Sequence, residues 1–565
     1  MRLGLPGWSL IGLSVLALSA CQPAAKTPAP DAVFYHATIY TGLDGAAPVE
    51  AVSVKDGHIL ATGKSEDLLK TADDKTQKID LGGTFLYPGF TDAHAHLMGI
   101  GEREMNLNLD KVGSVAELVS VVGEAAKAKA PGQVLQGRGW IETHWPEKRF
   151  PNRHDLDAVT GDHPTILTRA DGHALVANTA ALKAVGIDGK PKSQPDGGRI
   201  ELGKDGLPTG MLIDNAMRLL ASLNTAPTPE YIDEAYEKGA AREIGLGWTG
   251  VHSMSVDGKL VPRINALSDA GKLNLRIYNA VDGQDFDQLV ANKVFGETKD
   301  LMVITKAIKL YMDGALGSRG ALLEEPYSDQ PDTSGLERSH EAETLAIMKK
   351  AYDAGIQVCV HAIGDKGNRQ TLDWMEKTFK TDPNYATADK RWRIEHSQIL
   401  RLEDIPRFKQ LRIIPSMQPS HAIGDLYFAP SRLGPRRLGG AYAWKSLIEA
   451  GSIIAGGSDA PVEQGDPRIE FYAAVARKDL KGNRGPDEEW HPEQAVTRAE
   501  ALKMFTIWPA YASFREKELG TIEPGKLADF TGFSADIMTI PEAEILTVNP
   551  EITVVGGKVV FHRAS

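Results

Sequence analysis

Gly83-Thr84-Phe85-Leu86-Tyr87-Pro88-Gly89-Phe90-Thr91-Asp92-Ala93-His94-Ala95-His96 is an apolar run that ends in a His-x-His pair. Successive strand residues face opposite ways, so two histidines separated by one residue present both imidazoles on the same side. Two neutral imidazoles on one side are half of a zinc-type site. The pair alone proves little: with 15 histidines in 565 residues it is an ordinary coincidence. A core histidine bonded to a backbone carbonyl is the everyday alternative. The pair gains weight from the pattern that follows it.

Seven further strand-like runs lie at 248–252, 273–278, 307–311, 356–361, 392–396, 411–417 and 452–459. Between them, apolar residues at three- and four-residue spacing predict helices over 229–243, 340–354 and 365–379. Eight strands alternating with helices predict an α/β chain folded as a (β/α)8 TIM barrel, whose active site lies at the C-terminal ends of the strands. The stretch from about 100 to 230 breaks the alternation after the first strand. It carries strand pieces of its own at 134–140 and 165–173, and reads as an insertion over the barrel mouth. Residues 32–84 and 521–565 are short strands with tight turns, among them Asp56-Gly57 and Gly556-Gly557. They predict one β-sandwich built from both chain ends, leaving 85–520 to the barrel and its insertion.

The N-terminus reads as a processing signal. Arg2, the apolar residues 10–17 and Leu18-Ser19-Ala20-Cys21 form a secretory pattern over 1–20, ending like a bacterial lipoprotein box with Cys21 as the lipidated residue. The alternatives are an uncleaved anchor or an ordinary signal with an incidental cysteine. A Pro/Ala tether spans 21–31. Gln22 suits outer-membrane sorting, so the expected location is the bacterial cell envelope, lipid-anchored and facing the periplasm. The only other cysteine is Cys359, which leaves no intramolecular disulfide. A net charge of -12 excludes nucleic acid as a partner, because no basic stripe is available to neutralise phosphates.

The strand ends offer His94 and His96 (first), Lys309 (fourth), His361 (fifth), His396 (sixth) and Asp459 (eighth). Here the sequence resembles the amidohydrolase superfamily of metal-dependent hydrolases. It is similar in particular to the amidohydrolase-3 branch, with its YtcJ-like proteins and N-substituted formamide deformylases. The matching stretches are Pro88-Gly-Phe-Thr-Asp-Ala-His-Ala-His96, Lys309-Leu-Tyr-Met-Asp-Gly-Ala-Leu-Gly-Ser-Arg319, His361-Ala-Ile-Gly-Asp365, Ile394-Glu-His-Ser397, Gly457-Ser-Asp-Ala-Pro461 and Gly520-Thr-Ile-Glu-Pro-Gly-Lys-Leu-Ala-Asp529. The resemblance implies the barrel, the split sandwich and divalent metals.

A divalent cation lowers the pKa of bound water to about 7, and two cations share the charge that develops on oxygen. His94, His96 and Asp459 would hold one, and His361 and His396 the other. Two zinc ions are expected, and manganese or iron also fit a carboxylate-bridged pair. An ammonium repels metal, so Lys309 joins only as a neutral amine or as a carbamate; the resemblance implies the carbamate. Asp459 would also act as the base, moving a proton from water to the leaving nitrogen. Arg138, His173, Arg319 and His421, with Asp171, are the expected substrate-binding residues of the mouth. Cys359 is expected to pack beside the site, and Trp140 and Trp145 to form either an apolar wall or the insertion's own core.

The function implied is hydrolysis of a linear amide C–N bond in a small substrate such as an N-substituted formamide, N-acyl amino acid or dipeptide-like compound. The alternatives are a cyclic amide, lactone or ester hydrolase at the same site, or a catalytically inactive binding lipoprotein. The expected partners are that small molecule and, through Cys21, a membrane. A homodimer is left open.

Overall fold

The computed structural model describes residues 28–223, 227–485 and 490–564. The signal segment, Cys21 and most of the tether lie outside them. Eight parallel strands, each hydrogen-bonded to the next in chain order, form the barrel. They are β1 (Phe90–Ala95), β2 (Trp248–Val256), β3 (Arg276–Asp282), β4 (Val303–Tyr311), β5 (Gln357–Ala362), β6 (Arg393–His396), β7 (Ile414–Met417) and β8 (Ala455–Gly456). They are buried almost throughout, as parallel strands covered by helices must be.

The seam between β8 and β1 is closed by a few bonds just past β8. A Cβ on Gly457 would come within 2.4 Å of His94 N, so only glycine lets the two segments approach. Ser458 N–H donates to Asp92 Oδ1 at 2.9 Å, Asp459 N–H to the His94 carbonyl at 2.6 Å, and His96 N–H to the Ala460 carbonyl at 2.7 Å. The bonds that close the barrel thus set His94, His96 and Asp459 side by side.

The third and seventh strands lie later than the apolar runs suggest. Leu273 and Leu275 are core residues ahead of β3, not part of it. Leu411 ends the helix Ile405–Leu411, and Arg412 turns left-handed at φ 56° before β7 begins. Local hydrophobicity does not distinguish a buried helix end from a strand start.

The opening run is also divided. Phe85–Pro88 pairs with Phe530–Phe533 in a five-strand sheet that runs Thr38–Ile39, Phe85–Pro88, Phe530–Phe533, Pro550–Val555, Lys558–His562. The chain therefore leaves this sheet at Gly89, beyond the expected boundary at 84. A Cβ on Gly89 would lie 2.3 Å from Thr249 Oγ1 and 2.9 Å from Asp529 Cβ. A second sheet of His58–Gly63, Ala51–Lys55, Ala32–Tyr35 and Gln77–Asp80 packs on the first through Phe34, Val52, Val54, Leu86, Phe530 and Ile552.

The insertion is a six-strand sheet between Leu107 and Asp214. It leaves the barrel after the helix Leu97–Met105 and returns ahead of the helix Pro229–Leu246, which packs on the first. Trp140 and Trp145 fill its core, their indole N–H groups donating to the Leu167 and Val112 carbonyls at 2.8 Å each. They form core rather than wall.

Candidate metal centre

His94 lies near the end of β1, and His96 follows its last residue. His94 Nδ1–H donates to Glu395 Oε2 at 2.6 Å, and Arg393 Nε lies 2.7 Å from the other oxygen of Glu395. Burial alone would raise the Glu395 pKa; Arg393 and His94 outweigh it and hold the carboxyl well below its usual range. An anionic acceptor at Nδ1 leaves the lone pair on Nε2. His96 Nδ1 lies 3.1 Å from the Met254 carbonyl, which can only accept, so its Nε2 is also bare. His396 Nδ1 faces Gln418 Oε1 at 2.8 Å with the same result. His361 is turned the other way: its Nε2 lies 3.4 Å from the Gly314 carbonyl, leaving Nδ1 bare. Burial pushes the His361 and His396 pKa values far down and lowers that of His96, which keeps these rings neutral.

Two of these bare nitrogens face Asp459. Its Oδ1 lies 3.1 Å from His96 Nε2 and 3.3 Å from His94 Nε2, and it is buried with no hydrogen-bond donor. A buried carboxylate oxygen facing two lone pairs is unfavourable as it stands, and a cation between them reverses the sign. His94, His396 and Asp459 bring ligand atoms within 4.8 Å of one another. The His361 ring lies 4.6 Å from that of His396, which places a fourth donor beside the three. The donor set fits a divalent cation.

Lys309 Nζ is buried 3.5 Å from His94 Nε2 and makes no ion pair among the described residues. Burial lowers its pKa, toward the neutral amine that a metal tolerates. The backbone is strained here as well: His396 (φ 73°), Ser397 (φ 43°), Asp459 (φ 62°) and Ser255 (φ 58°) are all left-handed. Such conformations cost energy in residues other than glycine and cluster where side-chain placement matters.

A sequence model described as "Amidohydrolase family" matches residues 77–561. The chain belongs to the amidohydrolase family. It is 35% identical over 537 residues to "Putative amidohydrolase YtcJ" of Bacillus subtilis (strain 168), covering 94% of this chain and 100% of that protein. It is 27% identical over 530 residues to "N-substituted formamide deformylase" of Arthrobacter pascens, covering 91% and 95%. Among solved structures, an uncharacterized metal-dependent hydrolase from Pyrococcus horikoshii OT3 matches with a TM-score of 0.73 at 27% identity, over 90% of this chain and 99% of that one. This amidohydrolase is a metal-dependent hydrolase with a His/His/Asp cluster suited to a divalent metal.

The expected substrate residues divide. His173, Arg138 and His421 line the cavities over the centre. His173 Nδ1–H donates to Asp214 Oδ1 at 2.6 Å, and the His173 ring stands 5.1 Å from that of His361. Burial lowers its pKa, but Asp214 outweighs burial and the net shift is upward. His421 Nε2 lies 3.6 Å from Asp459 Oδ2. Arg319 does not join them. It pairs with Asp329 at 3.0 and 3.2 Å, and it lines neither cavity. Its left-handed backbone (φ 61°) turns it away from the mouth, a geometry that no local pattern announces.

Cys359 is buried among Met254, Tyr278 and Ala307, and burial pushes its thiol pKa up, as befits a packing residue. Sequence reading missed the residues that hold the ligands. Asp92 accepts from His94 N–H at 3.0 Å and from Ser458, while Glu395, Arg393, Gln418 and Asp214 orient rings. Asp92 and Glu395 stand inside the quoted motifs, but Asp92 meets Ser458 across the β8–β1 seam and Glu395 meets His94 across the barrel.

Proposed function

We propose that this amidohydrolase cleaves a linear amide C–N bond in a small substrate. The observation that carries the reading is the set of bare imidazole nitrogens turned on a buried, donorless Asp459 oxygen beside an unpaired buried lysine. The likeness to a protein named N-substituted formamide deformylase supports an amide as the substrate. His94, His96 and Asp459 would hold one divalent cation, and His361 and His396 a second. Lys309 would bridge them after its neutral amine adds to CO2 and gives up a proton. The metals would supply Lewis acidity and a water acidified to a pKa of about 7. Asp459 takes the proton of the attacking water and returns it to the leaving nitrogen, while Glu395 keeps His94 in the tautomer that a metal needs.

The test is a matched panel of amides and esters, assayed with zinc- and manganese-loaded protein. Amide turnover is expected. Ester hydrolysis without amide turnover would replace the reading, and a metal-loaded protein inert on both would favour a binding role.

Lipidation at Cys21 belongs to the same proposal, supported by the Leu-Ser-Ala-Cys pattern after an apolar run. Cys21→Ser should move the protein from the membrane to the soluble fraction of an envelope preparation; unchanged partition would reject the anchor.

A further inference from the structure

Two cavities, of about 410 and 330 Å3, meet on the metal centre: His173, His361, His396 and Asp459 line both. Their remaining walls differ in kind. The larger carries the guanidinium groups of Arg138, Arg218 and Arg338. Among the described residues Arg138 and Arg218 make no ion pair. Arg338 has only Asp214, at 4.0 Å, and that carboxylate already holds His173. Of the other acids of this wall, Asp171 pairs with Arg169, Asp282 accepts from the Gln284 N–H at 3.2 Å, and Asp459 belongs to the metal centre, while Asp214 Oδ2 is buried without a donor. Arg138 Nε and Arg338 Nε are buried with no acceptor, a cost that an incoming anion removes.

Both arginines are also held in place. Arg138 Nη2 donates to the Ala170 carbonyl at 3.1 Å. The Arg338 guanidinium lies 4.9 Å over the Tyr311 ring and donates to Asn215 Oδ1 at 3.3 Å. Gly172 (φ 70°) makes room for the first, since a Cβ there would sit 3.1 Å from Arg138 Nη2.

The smaller cavity is the more apolar of the two, with Ile141, Leu316, Ile363, Phe428 and Leu480 on its wall. Of the carboxyls on its wall besides Asp459, Asp425 and Glu463 are pushed up by burial to about 7 and about 8, Asp110 is raised in the same way and faces Arg103 at 3.7 Å, and Asp171 pairs with Arg169. Arg169, also on this wall, is neutralised by Glu142 and Asp171.

We propose that the substrate has two unlike ends astride the scissile bond, a free carboxylate among Arg138 and Arg338 and an apolar group in the smaller cavity. The class that fits is an N-acyl amino acid with an apolar acyl chain, rather than a neutral formamide. This rests on the amide-hydrolysis reading and narrows it.

The experiment compares kcat/KM for N-phenylacetyl-alanine with that for its C-terminal carboxamide, which has nearly the same shape and no charge. A preference of about 100-fold for the acid is expected, the size of a hydrogen bond to a charged group. Arg138→Met and Arg338→Met should each cut that ratio at least tenfold, mainly through KM, with metal content as the check on folding. Equal turnover of acid and carboxamide, or a ratio untouched in both variants, overturns the proposal. Should the variants misfold, competition on the unaltered enzyme decides. 2-Methyl-4-oxo-5-phenylpentanoate, the uncleavable isostere with CH2 in place of the amide N–H, should inhibit at least tenfold better than its own carboxamide, and equal inhibition overturns the proposal. If no amide is cleaved, the function reading fails by itself, and the same acid preference is then measured on matched esters.

Discussion

Asp459 shows what a single residue is asked to do. It closes the barrel through its backbone, and in the proposed reaction it would ligate through one carboxylate oxygen and move protons through the side chain. A cation among the bare histidine nitrogens would keep the buried carboxylate anionic and able to ligate. Asp459→Asn preserves shape and removes both ligand charge and basicity. Turnover should fall by roughly 10²- to 10⁴-fold with an unchanged circular dichroism spectrum; activity within tenfold of the parent would contradict its role. Lys309→Ala separates the bridge from the rest. Metal content should drop to about one ion per chain, and short carboxylic acids should restore part of the activity by filling the space with oxygen ligands. Two ions retained without additive would rule out a bridging carbamate.

At the scale of elements, the helix Leu97–Met105 begins immediately after His96, so its seat determines where that ligand points. It crosses the helix Pro229–Leu246 at very short range. A Cβ on Gly239 would lie 2.4 Å from the Leu97 carbonyl, and one on Gly101 only 1.7 Å from that of Ala235. Gly239→Val should push the helices apart and cost about 1–3 kcal/mol or more, read as a lowered Tm together with weaker metal binding in a titration. Gly245→Ala, on the same helix where a Cβ meets open space, should instead stabilise by about 0.4–1 kcal/mol. Similar effects at both positions would show that the crossing does not constrain the site.

At the scale of the molecule, the last strands are structural members of a sheet begun by the first. Phe530–Phe533 lies between Phe85–Pro88 and Pro550–Val555. Asp529 forms a buried bidentate pair with Arg276 at the start of β3, and Thr531 Oγ1 bonds to Phe90 N–H and the Gly247 carbonyl. Deleting everything after residue 520 would leave Arg276 buried without its counter-ion, a loss of several kcal/mol, and would expose the face of Phe34 and Leu86. The truncated chain should accumulate as aggregate or be rapidly proteolysed; a soluble, cooperatively folding product would mean that the barrel stands without the sandwich.

What the sequence by itself determined was the order of the parts: eight strand-helix units, a long interruption after the first, and ligand-type residues at strand ends. Periodicity and the placement of His, Lys and Asp are local properties, so they survive without coordinates. The tertiary structure decided where the run through Gly89 divides between sandwich and barrel, because both halves are equally apolar. It also decided which nitrogen of each histidine is bare, since that depends on Glu395, Met254 and Gln418 on other strands. Finally it separated Arg138 from Arg319. Both are arginines outside the barrel strands, but only contact geometry shows that Arg319 pairs with Asp329 and that Arg138 lines the cavity without an ion pair. Charge pairing is long-range in sequence and short-range in space, so it is legible only after folding.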